Sequence, residues 1–408
     1  MIPTYLRFSY FAGKHIHLGV AGSIACYKAL DLCREFIHSD IKVSATLTVA
    51  AQQFLKPLCF SGLGADPVYT DMFSSKNTPF AHLEPNQFAD VFLIAPITAN
   101  SIAKIATGLA DDLLSCQALA FQRQILVAPA MNPNLWKASA TQKNIETLKE
   151  RGIHIILPAK GKAACGDEGE GKLAPIQDIY FYTLKALAPK DLEGKKILIT
   201  LGPTREYWDS VRFISNPSSG KMGAALAVSA WLRGAHVTCI KGPCDVWLPE
   251  DPDMKIVDII SAEDLLKECL SVWEDFDIGC MVAAVCDFAP EQRFDYKLKK
   301  KEISSPLSLR LKQTPDILFE LGKRKKDSQI LIGFAAETKE NFLDFAKDKL
   351  IRKNLDMIVA NRVDVEGVGF SSDMNSVTIL TKKEQTIPLP TQNKADIAWK
   401  IWDLVLQK

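Results

Sequence analysis

The sequence predicts an α/β protein built from two open parallel sheets, one after the other. Three observations carry that prediction. Short apolar runs alternate with helical stretches along the chain. The runs are continuously apolar, as expected of strands covered by helices on both faces. The pattern then restarts near residue 190, dividing 408 residues into two portions of ordinary domain size.

In the first portion, residues 15–22 form the opening strand. Residues 24–37 follow as a helix in which Ile24, Tyr27, Ala29 and Leu30 can share one face. Residues 41–47, 91–96, 124–129 and 153–158 supply further strands, with helical patterns between them. Residues 187–194 make the connection, and the boundary is set at 189/190. In the second portion, residues 195–200 are a strand and 221–233 a helix that stops at Gly234. Residues 236–240, 278–285, 330–334, 356–360 and 377–380 are the remaining strands.

Composition narrows the function classes. Hydrophobic residues make up 47% and charged residues 24%, which excludes a disordered chain. With 49 basic and 48 acidic residues, the chain has no electrostatic footprint for nucleic acid. No apolar run reaches the roughly 20 residues needed to span a bilayer. None of the 10 cysteines forms a C-x-x-C pair, and most sit in apolar stretches. No secretory pattern opens the sequence, so a reducing cytoplasm is expected.

Ligands of open α/β sheets bind beyond the carboxyl ends of the strands. Gly22, Ser23 and Ile24 end one strand and open a helix there. Alone, that turn is either an anion-receiving helix start or an ordinary connection. Thr98, Ala99 and Asn100 follow another strand, with Thr98 and Asn100 suited to capping. Two such turns can hold a phosphate and a ring system together. No acidic residue stands where the ribose of a dinucleotide would need one, so a mononucleotide fits better than NAD. Farther on come Pro129-Ala-Met-Asn132 and a glycine-rich stretch, Ala164-Cys165-Gly166-Asp167-Glu168-Gly169-Glu170-Gly171-Lys172. Cys165 is the one cysteine in a setting that reads as a mobile loop; taken singly, it could be an idle thiol.

Gly-Ser-Ile-Ala, Ala-Pro-Ile-Thr-Ala-Asn, Pro-Ala-Met-Asn and Ala-Cys-Gly-Asp-x-Gly-x-Gly, in this order, resemble the flavin-dependent cysteine decarboxylases over about residues 14–180. His82 matches that family's active-site histidine. Lys172 departs from the usual arginine, and Ala174-Pro175 from a common acidic residue. The resemblance implies a flavodoxin-like FMN domain over residues 1–189. Gly22, Ser23, Ile24, Thr48, Thr98, Ala99 and Asn100 would hold the cofactor. The substrate is an acylated cysteine, and losing CO₂ leaves a carbanion that needs an electron sink. Its nitrogen is already an amide, so a Schiff base is impossible, and flavin oxidation of the thiol supplies the sink. By resemblance His82 is a base or orienting group, Asn132 binds the carboxylate, and Cys165 returns a proton to carbon.

In the second portion, Gly220-Lys221 suggests a P-loop. The earlier glycine is absent at residue 215, and Met222 replaces Ser or Thr. A Ser/Gly-rich helix N-terminus that can take an anion is the better reading. Asp287 ends an apolar strand, where it faces a ribose, base or metal, or caps a turn. Lys349 and Lys353 share a helix face.

Gly-Pro-Thr-Arg-Glu, Ile-Ser-Asn-x-Ser-Ser-Gly-Lys-Met-Gly, Ala-Ala-Val-x-Asp, Lys-Leu-Lys-Lys, Thr-Pro-Asp-Ile-Leu and Gly-Phe-Ala-Ala-Glu-Thr together resemble phosphopantothenate–cysteine ligases, over about residues 194–385. Cys286 and Thr314 are minor departures. The order, decarboxylase then ligase, resembles the bifunctional bacterial enzymes of coenzyme A biosynthesis. That likeness implies a Rossmann-like ligase domain over residues 190–408 that uses CTP and Mg²⁺. The carboxylate of 4′-phosphopantothenate would attack the α-phosphate, and the amine of cysteine would displace CMP from the acyl-cytidylate. Lys297 would stabilise the phosphate and Asn216 would act in the second step. Met281, Ala283, Ala284, Asp287, Lys297, Pro315, Asp316, Ile317, Leu318, Phe334, Lys349 and Lys353 would line the nucleotide site, with Asp287 toward the metal. The product, phosphopantothenoylcysteine, is the decarboxylase substrate. The likeness further implies trimeric decarboxylase contacts, dimeric ligase contacts and a homo-oligomer of twelve. Residues 1–13 receive no role from it.

Overall fold

A computed structural model of the chain describes residues 1–73, 79–162, 166–299, 308–337, 342–362, 369 and 372–407. They form two compact units, Met1–Ile2 with Ser9–Ala188 and Pro3–Phe8 with Pro189–Lys408. Pro3–Phe8 thus lies with the second unit, although the sequence reading kept all of residues 1–189 together. The reason is apolar: Tyr5, Leu6 and Phe8 are buried, and Phe8 meets Trp399 edge-on at 5.7 Å between ring centroids.

In the first unit, β1 (His15–Val20), β2 (Lys42–Leu47), β3 (Val68–Tyr69), β4 (Val91–Ile97), β5 (Ile125–Pro129) and β6 (His154–Ile155) form one sheet. Its order is β3-β2-β1-β4-β5-β6, and every pairing is parallel. A flavodoxin runs 2-1-3-4-5; here the order reverses between β1 and β4, as in the doubly wound dinucleotide-binding sheets. The helices are α1 (Tyr27–Ile37), α2 (Pro57–Leu63), α3 (Glu84–Phe88), α4 (Ala99–Thr107), α5 (Leu113–Ala120), α6 (Pro133–Lys137), α7 (Ser139–Glu150) and α8 (Ile176–Leu187). The second half of the glycine-rich stretch forms β8 (Glu168–Lys172), which pairs antiparallel with β7 (Ala159–Lys162). The helix after β1 buries Ala29, Leu32, Cys33 and Phe36, while Ile24 and Tyr27 are exposed. Its first turn, Ile24–Cys26, is 3₁₀ and so breaks the 3.6-residue phase that would align those two with the core face.

In the second unit, β9 (Lys196–Leu201), β12 (His236–Lys241), β13 (Met254–Asp258), β14 (Ile278–Met281), β17 (Ile330–Glu337), β18 (Met357–Arg362), β19 (Met374–Thr381) and β20 (Thr386–Asn393) make the main sheet. Its order is β13-β12-β9-β14-β17-β18-β19-β20. The strands through β18 are parallel, and β19 and β20 add an antiparallel edge. Pro388 and Pro390 hide β20 from the sequence, and an edge strand tolerates them. Two small ribbons pair β10 (Arg205–Tyr207) with β11 (Phe213–Ser215) and β15 (Phe288–Pro290) with β16 (Leu311–Gln313). The helices are α9 (Lys221–Leu232), α10 (Ala262–Val272), α11 (Ile317–Arg324), α12 (Phe342–Arg352) and α13 (Lys394–Leu406). Helix α9 is buried along its length and packs on α13. Beside them, buried Arg233 holds Asp191 at 2.7 Å and Asp403 at 2.8 Å. Among the described residues, no helix is long and apolar enough to cross a membrane.

Candidate functional site

Three neighbouring strands of the first unit, β2, β1 and β4, deliver the residues expected to hold a cofactor at their carboxyl ends. Thr48 follows β2, its amide bonded to the Val20 carbonyl at 3.1 Å and its hydroxyl accepting from Ala51 N–H at 3.2 Å. Gly22 and Ser23 follow β1. A Cβ at Gly22 would stand 2.4 Å from that of Ala50, so only glycine lets these two strand exits close together. Ser23 caps Ile24–Cys26, and Thr98 caps α4 by accepting from Ser101 N–H at 3.3 Å. Two helical N-termini therefore open on adjacent parallel strands, which suits an anion. The tight glycine and the capped, donor-rich turns fit the phosphate of a flavin mononucleotide.

Asn132 sits at the exit of β5, where its side-chain oxygen caps α6 at 2.8 Å from Asn134 N. Its amide donates to Asp167 at 2.6 Å. Gly171 accepts from Met131 N–H at 2.8 Å and has φ +142°, with no room for a Cβ against the Met131 carbonyl. The glycine-rich hairpin is thereby pinned to the Met131-Asn132 turn. Cys165 lies outside the described residues. His82 is half-buried beside buried Ala81, whose carbonyl accepts from Gln117 Nε2 at 2.9 Å.

Gln117 leads into a buried polar cluster that sequence reasoning missed. Gln117 Oε1 accepts from Thr46 at 2.7 Å, and His17 Nε2 lies 3.2 Å from the same oxygen. His17 Nδ1 is 2.8 Å from the Ser44 hydroxyl. With Nε2 protonated and Nδ1 accepting, each of these groups has a partner while the ring is neutral. Burial pushes the His17 pKa down to about 3, so it stays neutral at working pH. Alternating polar residues in otherwise apolar β1 and β2 were the available signal.

The second unit contains a cavity of about 660 Å³ at the carboxyl ends of its parallel strands. It brings together Asn216, Met281, Ala283, Ala284, Asp287, Pro315, Asp316, Ile317, Leu318, Phe334, Lys349 and Lys353. Residues far apart in sequence thus share one wall. Asn216 donates to the Val285 carbonyl at 2.9 Å, fixing the start of its loop to the exit of β14. Lys353 reaches Asp316 at 2.8 Å. Asp287 is exposed on the wall. Among the described residues, no group of three His, Cys, Asp or Glu side chains could hold a metal. A single carboxylate beside substrate phosphates is nonetheless the usual Mg²⁺ arrangement.

Lys297 does not line the cavity; it is exposed. Its neighbour Leu298 is buried, and Leu298 N–H donates to Asp209 at 3.4 Å. Asp209 also accepts from Val211 N–H at 2.8 Å and Arg212 N–H at 2.6 Å. Desolvation raises its pKa, but these donors and the Arg212 charge hold it below the ordinary range.

The other end of the cavity was not anticipated as a whole. It joins Ser218, Ser219 and Gly220, at the start of α9, to Lys221, Asn361, Asn375 and Lys394. Lys221 pairs with Asp373 at 2.7 Å. Lys394 donates to the carbonyls of Gly369 at 2.9 Å and Ser372 at 2.5 Å. Burial and the nearby Lys221 push the Lys394 pKa down to about 8. Among the described residues, buried Asn361 Oδ1 has no partner, an acceptor available to a ligand.

Comparison with known proteins places both units. Residues 10–188 match the flavoprotein family model, and residues 192–408 match the model of the DNA/pantothenate metabolism flavoprotein C-terminal domain. The chain is 41% identical over 392 residues to the coenzyme A biosynthesis bifunctional protein CoaBC of Bacillus subtilis (strain 168), covering 95% of each. It is 38% identical over 391 residues to the protein of that name from Vibrio vulnificus (strain YJ016), covering 96% of each. A crystal structure of the C-terminal domain of a CoaBC protein covers 53% of this chain and 97% of its own, with 38% identity and a TM-score of 0.45.

Proposed function

The chain belongs to the family of bifunctional coenzyme A biosynthesis proteins, and from that premise we propose how its two units divide the chemistry. It is an enzyme with phosphopantothenate–cysteine ligase and phosphopantothenoylcysteine decarboxylase activities. The observation that carries the division is the second-unit cavity, which gathers twelve expected ligase residues.

In the ligase unit, CTP occupies that cavity. Phe334 and the Pro315, Asp316, Ile317 and Leu318 turn surround the nucleoside; Lys349, Lys353 and the α9 N-terminus face phosphate. The carboxylate of 4′-phosphopantothenate attacks the α-phosphate, releasing pyrophosphate. Asp287 would hold Mg²⁺, which would supply charge stabilisation at the phosphates. Lys297, tethered through Leu298, swings in to stabilise the charge that builds at phosphorus. The cysteine amine then displaces CMP beside Asn216.

In the decarboxylase unit, FMN would sit on Gly22, Ser23, Ile24, Thr48, Thr98, Ala99 and Asn100. When bound, it supplies oxidation of the substrate thiol and the later return of a hydride. His82 orients the thiol or takes its proton. Asn132 exchanges Asp167 for the substrate carboxylate. Cys165 returns a proton to carbon. Exposed Ile24, Tyr27, Val49 and Phe80 support a homo-oligomeric contact at this face, with trimeric decarboxylase and dimeric ligase contacts building twelve subunits. A cytoplasmic site of action follows from these metabolites.

Purified protein mixed with phosphopantothenate, cysteine, CTP and Mg²⁺ should release both pyrophosphate and CO₂. Lys297→Gln should stop pyrophosphate release while leaving decarboxylation of added phosphopantothenoylcysteine intact. Pyrophosphate without CO₂, or an ATP-only reaction, would overturn the corresponding half.

A further inference from the structure

We propose that the segment Pro3–Phe8 is a working part of the ligase site, with Tyr5 as a positioning residue for Lys221. The proposal rests on the ligase reading above. Three contacts run from the segment to elements that line one end of the cavity. The Tyr5 ring is buried, and Lys221 Nζ lies over it at 5.7 Å from the centroid. Asn393 Nδ2 donates to the Thr4 carbonyl at 2.6 Å, while Asn393 Oδ1 caps α13 at 3.1 Å from Ala395 N. Lys394, the first residue of that helix, lines the cavity. Phe8 packs on Trp399, one turn farther along α13.

The physical argument concerns the freedom of a lysine. Lys221 opens α9, whose first residues line the cavity, and its stem could carry the ammonium into many positions. Asp373 at 2.7 Å and the electron-rich face of Tyr5 narrow that choice. Burial pushes the Tyr5 pKa up to about 12, so the contact is with a neutral phenol. Removing the ring takes away one of these restraints on the ammonium, and the charge offered to an incoming triphosphate is then less well placed.

Tyr5→Leu fills the apolar site without an aromatic face, and Tyr5→Phe keeps the face without the hydroxyl. In the full chain, CTP-dependent pyrophosphate release should show a CTP KM raised about three- to tenfold in Tyr5→Leu and parental in Tyr5→Phe. The KM for cysteine and the rate of phosphopantothenoylcysteine decarboxylation should not move. Lys221→Met should raise the CTP KM similarly, and the double variant Tyr5→Leu/Lys221→Met no further than Lys221→Met alone. An unmoved CTP KM in Tyr5→Leu, or additive effects in the double variant, would overturn the proposal. Absence of CTP-dependent pyrophosphate release from the parent would overturn the ligase reading, and the proposal with it.

Discussion

Acid should unlock the first unit through His17. The ring is fully buried and neutral, with a pKa pushed down to about 3 from an ordinary 6.5. Below pH 6.5 the unfolded chain therefore binds a proton that the native chain refuses, so unfolding free energy falls as pH falls. The stability held above pH 6.5 is lost progressively down to about pH 3. Between pH 7 and pH 4.5 this one ring accounts for about 2.5 kcal/mol, from 1.36 kcal/mol per unit of separation between the two titrations. At a urea dependence of about 1–3 kcal/mol per molar, the midpoint should drop by roughly 0.8–2.5 M. Pulse proteolysis in urea, scoring first-unit peptides by mass spectrometry, measures it. His17→Gln keeps a donor and an acceptor at the site but cannot titrate. Its midpoint difference between the two pH values should shrink by that amount, whatever its absolute stability. A His17→Gln protein with the parent's full pH dependence would refute the assignment.

Three further outcomes follow from contacts already described. Gln117→Leu should orphan the Ala81 carbonyl and leave the Thr46 hydroxyl and His17 Nε2 only each other, 3.0 Å apart, destabilising the first unit by about 1–3 kcal/mol in urea melts. Because Ala81 precedes His82, decarboxylation by the folded variant should also slow, with the ligase rate unchanged. Asp209→Ala removes the acceptor for Leu298 N–H and frees the base of the Lys297 segment. Pyrophosphate release should fall by about 10–10²-fold, read in the coupled assay. Arg233→Met strands Asp191 and Asp403, both partly exposed, and should cost about 2–4 kcal/mol in the second unit's unfolding transition. Decarboxylation should be untouched.

Most parallel strands were legible because they are continuous apolar runs that no solvent-facing strand would carry; β3, two residues long, and β13, an edge strand with exposed Lys255 and Asp258, were not. The turns after β1 and β4 were legible because glycine and capping residues announce a strand-to-helix switch. Of the antiparallel edge, β19 was read over 377–380 but β20 was not: Pro388 and Pro390 erase its strand signal, and an edge position accommodates them. The face of the first helix was misread for another local reason, the tighter winding of Ile24–Cys26, which exposes Ile24 and Tyr27. At the second cavity, motif residues on strand exits could be named. Lys394 could not, because α13 follows the edge strand and reaches the site only through tertiary packing. Gln117 and His17 were hidden likewise: a polar residue on a strand or helix shows no partner until the elements pack.

The segment that ends up against α9 and α13 also has a history during synthesis. Tyr5, Leu6 and Phe8 leave the ribosome roughly 390 residues before Lys394, a wait of about 20–80 s at about 5–20 residues per second. The sheet of the flavoprotein unit can form within that interval, since all its strands emerge together. The other unit cannot close: its earliest-made piece and its latest-made helix belong to the same wall. Three bulky apolar side chains thus remain uncovered while translation proceeds, exposed to chaperones or to the equivalent segment of a neighbouring nascent chain. Slowing elongation near the 3′ end of the message should lengthen that exposure, and with it the share of chains that aggregate before the last helix arrives.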